Sequence, residues 1–151
     1  MDWKSLFFTA DGRIGRQAFW IGWLMLLGVH VVAGWVPLIG WALGLAALFA
    51  SVCLYTKRLH DMGRTGWWQV LPIVLGPVLI LGSAMTIGFG ALLGELTNIG
   101  DGWALAGVGG LFVSLAIAFV VMIGFTLWVG TAEGQPGENR YGEPPLTTVL
   151  A

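Results

Sequence analysis

Three long runs of this chain contain no Asp, Glu, Lys or Arg. They lie between Arg16 and Lys57, between Arg64 and Glu95, and between Asp101 and Glu133. A helix needs about 20 apolar residues to cross a hydrocarbon layer about 30 Å thick. The first run is about twice that length, and Pro37 and Gly40 fall near its middle in WVPLIGW. Proline lacks an N–H and clashes inside a helix, so a tight turn is expected there. The first run therefore predicts two helices, 18–36 and 39–56. The second run predicts one helix, 68–93, kinked by Pro72 and Pro77, which leaves open a span that bends back. The third predicts a helix over 103–130.

Composition supports hydrocarbon as the solvent. The chain is 57% hydrophobic and 10% charged, whereas soluble domains carry about 25% charged residues. Its 151 residues suffice for one domain. The net charge of −1 carries no argument about nucleic acid, and no nucleic-acid partner is expected. The start, MDWKSLFFTADGR, lacks a basic segment leading straight into an apolar core. The first apolar helix is therefore expected to be retained.

Sidedness follows from Lys and Arg, which concentrate in cytoplasmic loops. Lys4, Arg13 and Arg16 precede the first helix. Lys57, Arg58 and Arg64 separate the second from the third, and Arg140 follows the fourth. Four crossings place all seven on one side, while three or five would divide them. The expected fold is all-α, an integral membrane bundle of four transmembrane helices with both termini inside. Residues 1–17 form a cytoplasmic interfacial segment, 18–131 the four-helix domain and 132–151 a cytoplasmic tail. Indole rings favour the membrane–water interface. Trp20, Trp23, Trp67, Trp68 and Trp128 are expected as anchors at the inner boundary, and Trp35, Trp41 and Trp103 at the outer one. Trp3 and SLFF are expected along the inner surface.

Small residues stripe the second helix: Gly40, Gly44, Ala47 and Ser51 on one face, and Ala42, Ala46 and Ala50 at four-residue spacing. Such stripes let membrane helices approach closely, either within one bundle or as the seam of a homo-oligomer.

Few residues carry chemistry. Cys53 is the single cysteine, so an intrachain disulfide is impossible. His30 and His60 fall on opposite faces and cannot share an ion, and no metal or cofactor is expected. No Walker loop, dinucleotide fingerprint or HExxH occurs. His30 sits inside an expected span, where an ionisable group is a functional candidate by default. No charged partner exists in the other spans, and a backbone carbonyl is its simpler partner. Glu95, Asn98 and Asp101 read as a solvated outer turn.

The densest polar segment is KRLHDMGRTGWW, residues 57–68. If the second helix runs on, Arg58 and Asp61 become neighbours three apart, and His60 and Arg64 four apart. Gly63 then suits a C-terminal cap and Thr65 a helix start. Two readings stay open. Arg13, Arg16, Arg58, His60, Asp61 and Arg64 converge on an anionic ligand or headgroup, or they set orientation and pair locally. In the tail, Asn139, Arg140 and Tyr141 either fold back on this cluster, with Arg140 or Tyr141 contacting Asp61, or stay flexible.

GRIGRQAFW, RLHDMGRTGWW and GENRYGEPP occur in this order along the chain. Together they resemble the bacterial inner-membrane family catalogued as domain of unknown function 805, which includes the YhaH-like proteins. The resemblance implies Gly12, Arg13, Arg16, Phe19 and Trp20 as one motif. It implies Arg58, Leu59, His60, Asp61, Gly66, Trp67 and Trp68 as the second, and Asn139, Arg140, Tyr141 and Gly142 as the third. It implies a small helical membrane protein with no established activity, and it supplies no catalytic residues to carry over. The stretch between GWW and NRYG looks longer here than in compact members. The leading functional expectation is a non-enzymatic module in the bacterial inner membrane. Its cytoplasmic cluster would bind a protein partner, an anionic lipid or a small anion. A small transporter or channel subunit, and an interfacial enzyme using His60 and Asp61, are the alternatives.

Overall fold

The apolar runs fold as helices. In the computed structural model, residues 3–36, 39–97 and 102–145 are described, apart from the side chains of 103–106. In chain order come α1 Trp3–Phe8, α2 Arg16–Ala33, α3 Ile39–Asp61, a 3-10 turn Gly66–Gln69, α4 Val70–Thr97 and α5 Gly102–Thr131. No strand occurs among the described residues. Four helices are long and apolar enough to cross a membrane. Such spans make a multi-pass membrane protein. Almost all the apolar surface of α4 and α5 is exposed, as it is where lipid is the solvent.

The boundaries differ from the expected ones for identifiable reasons. Helix α2 ends at Ala33, not residue 36, because Gly34 begins a turn whose N–H donates to His30 O at 3.1 Å. Pro37 and Leu38 of the expected turn lie outside the described residues. Helix α3 runs five residues past the expected end, to Asp61, and carries Lys57, Arg58 and His60 with it. It stops in a Schellman cap. Gly63 takes φ +71°, its N–H meets His60 O at 2.9 Å, and the Arg64 N–H reaches Leu59 O at 2.8 Å. Helix α4 is one continuous helix rather than a bent-back segment. Pro72 sits in its first turn, where no N–H partner is lost, and Pro77 lies inside it. Asn98 and Asp101 of the expected outer turn, like the Trp103 side chain, lie outside the described residues.

The chain divides into two compact units, Met1–Gln69 with Leu127–Ala151, and Val70–Thr126. In the first, α3 packs against α2 and α1. Gly40 permits the α2–α3 approach, since a Cβ there would stand 3.0 Å from the Ala33 carbonyl carbon and closer still to its oxygen. Of the small residues of α3, Gly40, Ala47 and Ala50 turn inward, and Ala42 and Ala46 outward. Phe19, Leu54, Leu59 and Val129 form the fully buried apolar centre. Phe19 meets Tyr55 edge-on at 5.2 Å. Burying one such side chain contributes about 1.5–3 kcal/mol. Helix α1 is fastened to α3 by Lys57, whose buried ammonium donates to Ser5 O.

The second unit holds α4 and most of α5. Gly107 lies against Ile87, where a Cβ would come within 2.8 Å of the Ile87 Cα. Ser83 and Ser114 share a hydrogen bond of 2.8 Å. Small residues and a polar pair are the usual adhesive between helices in lipid.

Candidate functional site

A helix ends with four carbonyls that lack intrahelical partners. They also carry the negative end of the helix dipole, so cations suit them. In the first unit this requirement organises the whole polar cluster. At the end of α5, Trp128 O accepts the Ala132 N–H at 3.0 Å. Val129 O accepts from Arg58 Nε at 3.0 Å. Gly130 O accepts from Trp20 Nε1 at 3.2 Å, and Thr131 O from Arg16 Nη1 at 3.3 Å. Ala132 O accepts from Arg58 Nη2. Three side chains from distant segments thus cap one helix.

The end of α3 is served in the same way. Asp61 O accepts the Gln135 N–H at 2.8 Å. His60 O accepts from Asn139 Nδ2 at 3.0 Å. Gly134 passes so close to the Asp61 carboxylate that a Cβ would stand 2.8 Å from its carbon. The tail therefore folds back over the end of α3. It is itself a closed turn, with reciprocal Asn139–Gly142 backbone bonds of 3.1 and 2.9 Å and the Tyr141 N–H on Asn139 Oδ1 at 2.9 Å.

Asp61 sits between two guanidiniums. Arg58, three residues earlier on α3, donates to Oδ2. Arg13, from the loop before α2, reaches Oδ1 at 3.1 Å. The Arg13 and Asp61 side chains are 1% and 5% exposed and that of Arg58 is 0% exposed. Two buried cations share one anion, and backbone carbonyls absorb the excess. Arg13 also donates to Gln135 O at 2.6 Å, Gly137 O at 2.7 Å and Gly142 O at 3.2 Å. A buried ion pair is tolerated when the remaining donors are satisfied, as they are here.

The expected candidates fall into an interior and a rim. Arg13, Arg58 and Asp61 are interior. His60 stacks on Tyr141 at 3.7 Å with ring planes 5° apart, and its Nδ1 lies 3.3 Å from Gly12 O. No hydrogen bond joins His60 to the Asp61 carboxylate among the described residues, so the two neighbours do not form a dyad. Among the described residues Asp61 pairs with Arg13 and Arg58 and its carbonyl accepts from the Gln135 N–H, and no hydrogen bond joins it to Arg140 or Tyr141, the contacts that the fold-back reading of the tail named. Arg140 lies over Tyr141 at 4.7 Å and donates to Gly63 O at 3.5 Å. No hydrogen bond joins Arg64 to His60 among the described residues. Arg64 lies 5.0 Å over the rings of both Trp68 and Trp128. Arg16 is about half exposed, with Glu133 3.9 Å away. His30 contacts Leu26 O at 2.8 Å within its own helix.

Among the tryptophans, Trp67 is 80% exposed. Trp35 and Trp41 are also exposed, and Trp23 is half-buried against Trp20. Trp20 and Trp128 contribute packing and polar contacts besides any anchoring. The arrangement caps helices and clamps a tail.

Residues 7–143 match the family described as "Protein of unknown function (DUF805)". This chain belongs to that family. It is 35% identical over 148 residues to "Uncharacterized protein YiiR" of Escherichia coli strain K12, covering 90% of this chain and 85% of that protein. The YiiR protein of Escherichia coli O157:H7 matches to the same extent. No solved structure matches this chain.

Within this family member, the three motifs converge. Arg13, Arg16, Phe19 and Trp20, then Arg58 to Trp68, then Asn139 to Gly142 all lie in the first unit, and none lies in Val70–Thr126. The second unit fills the long stretch between GWW and NRYG.

Sequence reasoning missed several members of the cluster. Gln69 donates to Thr56 Oγ1 at 2.7 Å, and both are buried. Gly66 makes room for Thr56, since a Cβ there would meet its side chain at 2.7 Å. A lone glutamine in the apolar run WWQVLP was the available signal. Gln135, Gly134 and the α5 carbonyls had none, because their role is set by contact and not by residue type.

Proposed function

We propose that this protein is a non-enzymatic module of the bacterial inner membrane, with both termini in the cytoplasm. On this reading residues 1–17 lie at the inner surface, 18–131 contain the spans and 132–151 are a cytoplasmic tail. The observation that carries the orientation is the charge division. All seven Lys and Arg fall in the first unit, and Val70–Thr126 has none. Cationic side chains stay in the cytoplasm during insertion.

The capped interior supports a scaffold role. Arg13 and Arg58 are spent on Asp61 and on the protein's own carbonyls. What the scaffold displays is a rim of Arg16, Arg64 and Arg140 among exposed aromatic rings. Such a rim binds an anionic group on a lipid, a small anion or a protein partner. No flux or catalysis is required of it.

Two measurements test the reading. In a Cys53→Ala background, Glu138→Cys and Glu95→Cys should react with a membrane-impermeant thiol reagent from opposite sides. Labelling of both from one side refutes the orientation. In an uncharged detergent, inorganic phosphate should change the tryptophan fluorescence of the wild type and leave that of Arg64→Gln unchanged. Identical responses refute the rim.

A further inference from the structure

Every other guanidinium described in the cluster has an oxygen acceptor. Arg13 has several carbonyls and Asp61, and Arg58 likewise. Arg16 has Thr131 O, and Arg140 has Gly63 O. Arg64 differs. Its contacts among the described residues are aromatic, with its guanidinium carbon 5.0 Å from the ring centres of Trp68 and Trp128. Those rings are 6.3 Å apart and tilted 59°.

A cation–π contact spends none of a guanidinium's N–H donors on an oxygen acceptor. A guanidinium whose donors remain available matches two oxygens of a phosphate. The aromatic contacts also fix the side chain, so little rotamer freedom remains to be lost on binding.

The surroundings select among phosphate carriers. Arg64 closes the Schellman cap that ends a membrane-length helix. Exposed Trp67 and Trp68 follow it in sequence, and exposed Leu127 precedes Trp128 on α5. Indoles hold this level at the headgroup region, with apolar surface for an acyl chain below. We propose that Arg64, braced by Trp68 and Trp128, is the headgroup site of an anionic phospholipid, bound through its phosphodiester. The proposal rests on the rim reading above and names its ligand class.

The test uses the full chain in an uncharged detergent. It is titrated with phosphatidylglycerol, with phosphatidylcholine and with inorganic phosphate, and bound lipid is counted by native mass spectrometry. Phosphatidylglycerol should bind about fivefold or more tightly than phosphatidylcholine, the equivalent of about 1 kcal/mol for one basic side chain at a membrane surface. Arg64→Gln should abolish the preference, and Arg64→Lys should bind phosphatidylglycerol more weakly than the wild type, because a point charge lacks the bidentate geometry that a phosphodiester accepts. Trp128→Phe, which leaves the guanidinium in place but weakens its brace, should lower that affinity as well. Equal binding of the two lipids, with a phosphate response that Arg64→Gln removes, would overturn the lipid assignment while the rim reading stands. Binding of lipid and phosphate that is unchanged in Arg64→Gln would overturn both. Wild-type affinity for phosphatidylglycerol in Arg64→Lys would also overturn the proposal, since bulk charge would then suffice.

Discussion

Asp61→Asn isolates the physical claim on which the cluster rests. The change keeps shape and volume but removes the negative charge between Arg58 and Arg13. One amide oxygen can still face one guanidinium, while the amide NH2 must face the other. Removing one partner of a buried pair costs about 3–5 kcal/mol. The low end applies, because Val129, Ala132, Gln135 and Gly137 carbonyls still hold the two arginines. The expected loss is therefore about 3 kcal/mol, and it is confined to the first unit. Two assays read it. Thermal unfolding in detergent should show a lowered midpoint. Hydrogen exchange should show residues 133–142 losing protection while Ser83 and its neighbours on α4 keep theirs. Pairing the change with Arg13→Gln adds a coupling test, since residues in one network do not add. The double variant should be less damaged than the sum of the singles, because removing Arg13 removes the repulsive partner. A midpoint within about 0.5 kcal/mol of wild type, or strict additivity, refutes the account.

Gly134→Ala adds a methyl against the Asp61 carboxylate, which leaves no room for it. An overpacking cost of about 1–3 kcal/mol is expected, seen as faster proteolysis of the tail, and a tail as resistant as wild type counts against the close approach. Ser83→Ala removes the shared bond with Ser114 in the second unit. A loss of about 0.6 kcal/mol is expected, the usual worth of such a bond in lipid, so a shift of several kcal/mol in a denaturant series would show that the pair does more than join α4 to α5.

Much of the architecture is legible in the charge pattern. Runs without Asp, Glu, Lys or Arg, cut at WVPLIGW, set the number of helices, because burying a charge in hydrocarbon is costly wherever the helix sits. Arg58 and Asp61 are legible as neighbours because helical spacing is local. Gly63 is legible as a cap because few residues adopt positive φ. The family motifs mark which segments matter.

The sequence alone thus determined solvent, helix count and the identity of the polar segments, since each depends on residues within a few turns of one another. Only the tertiary structure decided how they are used. The last carbonyls of α5 and α3 are identical to any others in the chain until Arg58, Trp20, Arg16, Asn139 and the Gln135 backbone come near. It likewise decided that the tail folds back, that Asp61 serves Arg13 rather than Arg140, and that Arg64 faces two indoles. These pairings join residues up to 129 positions apart. A charge in the sequence is a number, but its role depends on which unsatisfied dipole the fold brings within 3 Å of it.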